Sequence, residues 1–193
     1  NHADAYSEKG IVLYKLGRYE EALIAFEQAV FKQETIRSFG PKEIDNYNLR
    51  AATLLRLERY EQALALYEQV LLLDHDNVVA FYSKGMALYN LHRHEESYAA
   101  YTQAARLGSG SIGANAYAGM GMALNELKRS EDALAAFGQA IQLDPKSVEI
   151  RIAKGVTLSL LKRYEEALDA YEQAIQLDPR SVKAYLGKGF VLR

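Results

Sequence analysis

Cysteine is absent from the 193 residues, which removes disulfide frameworks, thiolate metal sites and cysteine nucleophiles together. The absence fits a reducing cytoplasm, the location expected for this chain, and is also compatible with a disulfide-free exported protein. Long apolar runs are missing as well. A stretch such as Val70–Leu73 falls far short of a membrane span. No secretory signal precedes the first helical pattern, and the abrupt opening at Asn1-His2 reads as the edge of a fragment of a longer polypeptide. Nor is there an excess of one charge: 23 basic against 25 acidic side chains leave a net charge of −2. Binding to a phosphate backbone usually needs a strong basic excess, so neither nucleic acid nor membrane is an expected partner. Proline occurs only three times. What remains, 49% apolar and 25% charged residues, is the balance of a folded, soluble chain.

The chain repeats itself. QAIQLDPKSV at 139–148 returns as QAIQLDPRSV at 173–182, one period of 34 residues later. Gly10, Ala51, Gly85, Gly121, Gly155 and Gly189 form a column of small residues spaced by 41, 34, 36, 34 and 34. Ala22, Ala63, Ser97, Ala133 and Ala167 form a second with the same two irregularities. Two independent columns with the same interruptions fix the register. Leu13, Leu54, Leu88, Leu124, Leu158 and Leu192 recur in phase, as do the aromatics Phe26, Tyr67, Tyr101, Phe137 and Tyr171. Each unit reads as two amphipathic helices of about 14 residues joined by a short turn. The small columns let antiparallel helices approach closely, with a large aromatic of the partner filling the gap. Acidic residues open each second helix, as in LKRYEEAL at 161–168, where they complement the helix dipole. Asp-Pro at 144–145 and 178–179 ends a helix, because the residue before proline avoids helical geometry.

These columns resemble the tetratricopeptide repeat (TPR), with Tyr6, Tyr47, Phe81, Tyr117 and Tyr185 where its early tryptophan stands, and Arg151 in repeat five. The resemblance covers repeats 3–36, 44–77, 78–111, 114–147 and 148–181, plus a partial 182–193. It implies an all-α, right-handed superhelical solenoid of antiparallel helix pairs, about 11 helices, forming a single domain over 1–193. Two insertions interrupt it. Seven extra residues near Arg37–Glu43 are expected to lengthen the second helix of repeat one before Gly40-Pro41 stops it. Gly108-Ser109-Gly110-Ser111 reads as a helix stop and flexible turn.

Catalytic chemistry finds no foothold. His92-Arg93-His94-Glu95-Glu96 lacks the spacing that stacks imidazoles one helical turn apart, and reads as a solvated turn rather than a metal site. Gly119-Met120-Gly121 and Gly187-Lys188-Gly189 lie inside helical patterns, not at a strand-to-helix turn, so a phosphate loop fails on context. No serine or threonine sits in a nucleophile elbow. No enzyme activity, cofactor or metal is expected. The ladders Arg18, Arg59, Arg93, Arg129, Arg163 and Gln28, Gln69, Gln103, Gln139, Gln173 read as solvated edges.

In the resemblance, the first helix of each pair lines a concave groove that holds an extended or helical peptide. Helical phase places Ile11 and Tyr14, Ala52 and Leu55, Tyr82, Met86 and Tyr89, Ala118 and Met122, and Ile152 and Val156 on that face. A face that meets only water should be polar, and this one is apolar. The competing reading buries these side chains against neighbouring repeats by tight curvature. The family's charged clamp for chaperone C-termini does not carry over, because its places hold Ser7, Ile11, Leu49, Val79 and Ser83. The expected function is a scaffold or adaptor for a protein or peptide with apolar anchors. Two alternatives stay open: a substrate-recruiting or regulatory arm of a larger enzyme, or a module that self-assembles into a homo-oligomer through its open C-terminal helix.

Overall fold

The structure, a computed structural model, describes residues 2–34 and 41–193. Eleven helices and no strand occur among the described residues. They divide into two compact units, Asn1–His92 and Arg93–Arg193. In the first unit lie α1 (His2–Lys15), α2 (Tyr19–Glu34), α3 (Pro41–Arg56), α4 (Tyr60–Leu73) and α5 (Val78–Asn90). The second holds α6 (His94–Leu107), α7 (Gly110–Glu126), α8 (Ser130–Leu143), α9 (Val148–Leu160), α10 (Tyr164–Leu177) and α11 (Val182–Val191). Within each unit successive helices pack against one another, as expected of an all-α solenoid of helix pairs.

Two kinds of turn alternate, each with its own chemistry. Three first helices, α5, α9 and α11, start on a side-chain cap: Asn77, Ser147 and Ser181 accept from the backbone N–H of Ala80, Ile150 and Ala184, which satisfies a donor the helix leaves orphaned. The Asp just upstream holds the same turn. Asp144 and Asp178 accept from the N–H groups of Lys146 and Arg180 at 3.2 and 2.9 Å. Second helices start differently. A left-handed residue (Gly17, Glu58, His92, Lys128 or Lys162) reverses the chain, and the following arginine closes on a partner three residues on. Arg18, Arg93, Arg129 and Arg163 meet Glu21, Glu96, Asp132 and Glu166 at 2.6–2.7 Å; Arg59 meets Gln62. The arginine ladder is a set of exposed helix-start clamps, which water screens strongly.

Both insertions lie near helix starts. Most of Arg37–Glu43, and with it the expected lengthening of α2, lies outside the described residues. Pro41 is the first residue of α3, where its missing N–H costs no hydrogen bond. At 108–111 the stop is real but the turn is shorter than its glycines suggest. Gly108 caps α6, and Gly110, at φ 55°, already belongs to α7. The extra residues become part of a longer helix. Gly113 is what permits this, because a Cβ there would stand 2.9 Å from the Gly108 carbonyl oxygen.

The core is a series of aromatic rings seated on small residues. A Cβ added to Gly10, Gly121 or Gly155 would stand 2.5, 2.8 or 2.9 Å from Phe26, Phe137 or Tyr171. Each of these rings belongs to the second helix of the same pair. Three first helices, α5, α7 and α11, also seat the ring of the preceding pair, two residues earlier in their sequence. A Cβ at Gly119 would stand 2.5 Å from Tyr101, and one at Gly187 would likewise strike Tyr171. Tyr171 is thus held between Gly155 and Gly187. Tyr67 follows the rule with Ser83, whose side chain bonds its phenol. Burial pushes that phenol up to about 12. Gly119, Gly121 and Gly187 thus seat rings within helices, and Gly189 lies in α11 with nothing near the place its Cβ would take.

Candidate interaction surface

The face assigned to ligand binding is carried by first helices, whose opposite side is committed to the core. In the first unit Ile11, Tyr14, Leu55, Tyr82, Met86 and Tyr89 are all half-buried. Ile11 and Tyr14 lean on the cluster of Leu13, Ala22, Ala25 and Phe26; Leu55 leans on that of Leu54, Ala63 and Tyr67. Tyr14 also meets Tyr19 edge-on at 5.3 Å between ring centres, and Arg56 lies 5.3 Å above Tyr19 while its Nε donates to the phenol at 3.1 Å. Burial raises the Tyr82 phenol above its ordinary value. In the second unit Ala118 and Ile152 are half-buried, whereas Met122 and Val156 are 43% and 46% exposed. The apolar strips are therefore partly seated and partly presented. Neither full burial by curvature nor full exposure describes them.

A feature not picked out in the sequence lies at the start of the first strip. Asp4, Ser7, Glu8, Ile11, Asp45, Asn46 and Leu49 line a concavity of about 340 Å³ between α1 and α3. Ser7 Oγ donates to Asn46 Oδ1 at 2.9 Å, and Asn46 is buried. Sequence reasoning put Ile11 on the apolar groove face and read Ser7 and Leu49 only as the wrong residues for a charged clamp. The signal it passed over is the acidic rim of Asp4, Glu8 and Asp45. A second hollow, about 290 Å³, opens in the other unit among Tyr98, Met120, Leu124, Arg129, Asp132, Ala135, Ala136 and Gln139. There Arg129 lies 5.6 Å from the Tyr98 ring.

His92 is exposed in a turn, and His94 is the first residue of α6. Among the described residues no three metal-capable side chains come together, and no helix is long and apolar enough to cross a membrane. The glutamine column is exposed apart from half-buried Gln103.

Sequence models of the tetratricopeptide repeat match residues 1–74 in one form, and 48–112 and 119–189 in another. The chain is a tetratricopeptide repeat protein. No curated protein sequence matches it significantly. Solved TPR structures share its fold: TTC0263, a thermophilic TPR protein of Thermus thermophilus, has a TM-score of 0.74 and 22% identity, with 98% of each chain covered. MamA residues 41-end from Desulfovibrio magneticus RS-1 gives 0.78 and 19%, covering 94% of this chain and 98% of that one. YrrB, described as a TPR protein with an unusual peptide-binding site, gives 0.65 and 24%, covering 86% and 81%. At these identities the likeness is one of fold. The TPR fold is a scaffold for protein–protein interaction, and that much carries over to this chain.

Proposed function

We propose that this TPR scaffold binds a peptide or amphipathic helix with apolar anchors along the exposed side of its first helices. The first unit's strip is the primary one. The observation that carries the reading is the half-burial of Tyr14, Tyr82, Met86 and Tyr89: aromatic and thioether side chains held in place by packing yet still reachable. Such side chains are the usual anchors of adaptable contact surfaces, since tyrosine is rigid and amphipathic and methionine fills gaps. Ala118, Met122, Ile152 and Val156 offer a corresponding strip in the second unit. The peptide-binding site of YrrB supports the general mode for a protein of this fold. Each seated anchor supplies about 1.5–3 kcal/mol before ordering costs, so three or four give an affinity on the order of micromolar.

The test uses peptides selected from a displayed random library on the 193-residue chain. Enrichment of apolar residues at helical spacing is expected, with Tyr82→Ala/Met86→Ala weakening the best peptide at least tenfold while far-UV circular dichroism is unchanged. Equal binding by the double variant rejects the strip. The exposed apolar face of α11 supports association through that end as a second reading.

A further inference from the structure

Three columns of the repeat break at the same place. First helices carry a base at Lys9, Arg50, Lys84, Lys154 and Lys188, but Met120 stands at that phase in α7. The residue after the core aromatic is Glu27, Glu68 and Glu172 in three second helices, but Thr102 in α6 and Gly138 in α8. Leu23, Leu64, Leu134 and Leu168 recur three residues before that aromatic, and Tyr98 replaces them in α6. The first two columns meet across the seam between one helix pair and the next. Lys84 Nζ reaches Glu68 at 3.0 Å, and Lys188 Nζ reaches Glu172 at 2.9 Å. Only the seam of Met120 and Thr102 lacks both charges, and there Thr102 Oγ1 lies 3.5 Å from the Met120 sulfur.

This neutral seam is where the hollow of about 290 Å³ opens in the second unit. Met120 and Leu124 of α7 and Ala136 of α8 give it apolar walls, and Arg129 lies 5.6 Å from the ring of Tyr98 beside them. Thr102 braces the seam by donating to the Tyr98 carbonyl at 2.8 Å. Met120 and Met122 are roughly 200° apart around α7, so the hollow lies on the side away from the apolar strip of Ala118 and Met122.

The lining selects its guest. A group docking over Lys84 or Lys188 has to strip water from an ion pair, which is costly. At Met120 it displaces water from a thioether, an aromatic ring and aliphatic carbon, which is favourable. The rim charges cancel, since Arg129 is bound to Asp132 at 2.7 Å, so a charged guest gains nothing there. A methionine sulfur favours the edge of an aromatic ring, and Tyr98 with the guanidinium beside it offers that ring a stacking or edge-on partner. The space lies at the floor of the range for whole small-molecule pockets, which suits a single side chain.

We propose that this hollow is a second interaction site, taking a tryptophan or phenylalanine side chain of a partner polypeptide. The role of the fold as a protein–protein scaffold makes a polypeptide the source of the ring. Gln139 is exposed at the rim, where it can bond the partner's backbone. The site does not depend on the apolar strips.

The chain contains no tryptophan, so the emission of a blocked heptapeptide, tryptophan flanked on each side by Gly-Ser-Gly, reports binding without background. Titration with the 193-residue chain should give a saturable blue shift, with an affinity on the order of millimolar from one anchor. The three methionines sort the sites. With isotope-labelled methyls, the Met120 signal should move upfield under the ring current, while Met86 and Met122 in the two strips stay. Ala135 is exposed and lines the hollow, so Ala135→Leu fills it from outside; circular dichroism should be unchanged while affinity falls at least tenfold. Thr102→Glu/Met120→Lys rebuilds the charged seam and should weaken binding as much. No shift at Met120, or equal binding by Ala135→Leu, overturns the proposal. A shift at Met86 or Met122 in its place also overturns it, and leaves the strips standing as the binding face. Tighter binding of free indole than of the peptide makes a small molecule the occupant, and self-association of the chain that Ala135→Leu abolishes makes it a second copy; either result overturns the proposal.

Discussion

Two glycine-to-alanine substitutions in neighbouring helices should move stability in opposite directions. At Gly155 the new methyl would stand 2.9 Å from two carbons of the Tyr171 ring, where unstrained carbon pairs sit about 3.5–4.0 Å apart. The ring has nowhere to retreat, because its other side already rests on Gly187 and it is almost fully buried. Overpacking of this kind costs about 1–3 kcal/mol. Alanine returns about 1 kcal/mol through its better helix propensity, leaving Gly155→Ala up to about 2 kcal/mol less stable than the parent. At Gly138, in the middle of α8, nothing lies within 4 Å of the added carbon. The propensity gain stands alone there, and Gly138→Ala should be about 0.5–1 kcal/mol more stable. Urea unfolding followed by circular dichroism reads both. Equal m-values with midpoints shifted in opposite senses are expected. If the two variants move the same way, the ring-seat account of the core is wrong.

The remaining predictions concern charge and turns. The Tyr67 phenol ionises near 10 when unfolded and at about 12 in the folded chain, because burial disfavours the phenolate. Its contribution is therefore complete below about pH 10 and lost as pH rises through about 12, about 2–3 kcal/mol over that window. Tyr67→Phe should flatten the alkaline limb of a stability–pH curve; an unchanged limb would contradict the assignment. Lys128 and Lys162 adopt φ of 62° and 60° at turns where the first repeat has Gly17 at 74°. Left-handed geometry costs an ordinary residue about 1–2 kcal/mol, so Lys128→Gly and Lys162→Gly should each raise stability by about 0.5–1 kcal/mol after the entropy penalty of glycine. Thermal unfolding checks this, and a lower midpoint in both would refute it.

The fold was legible because its constraints are periodic. Small residues, leucines and aromatics fall at fixed phase, and the helices follow. Half of the ring-seat rule escaped, although its traces are in the sequence. Phe26, Tyr67, Tyr101, Phe137 and Tyr171 are followed, one helix on, by Leu49, Ser83, Gly119, Ala153 and Gly187. Serine or glycine follows each tyrosine, whereas leucine or alanine follows each phenylalanine. Reading each repeat as self-contained hid that relation, since the two partners belong to different repeats. The interaction surface was less legible for another reason. Helical phase assigns a direction to Met122 or Tyr82, but how far each is exposed depends on the neighbouring helices. The concavity at Asp4, Ser7 and Asp45 forms where two first helices meet, which no single helical pattern displays. At Gly110-Ser111 two strong turn residues were overruled by the close approach that Gly113 allows.

Because a ring and its second seat lie in successive repeats, the heritable module of this chain does not coincide with the helix pair. A duplication cut at 148–181 would take Tyr171 away from Gly187 and set it beside whatever the next copy brings. A cut that begins just before one aromatic and ends just after the following small residue transmits a working lock and key. The twin segments at 139–148 and 173–182 each run from the end of one second helix into the start of the next first helix. The most faithfully copied stretch of the molecule therefore straddles the seam that a repeat-by-repeat division would cut.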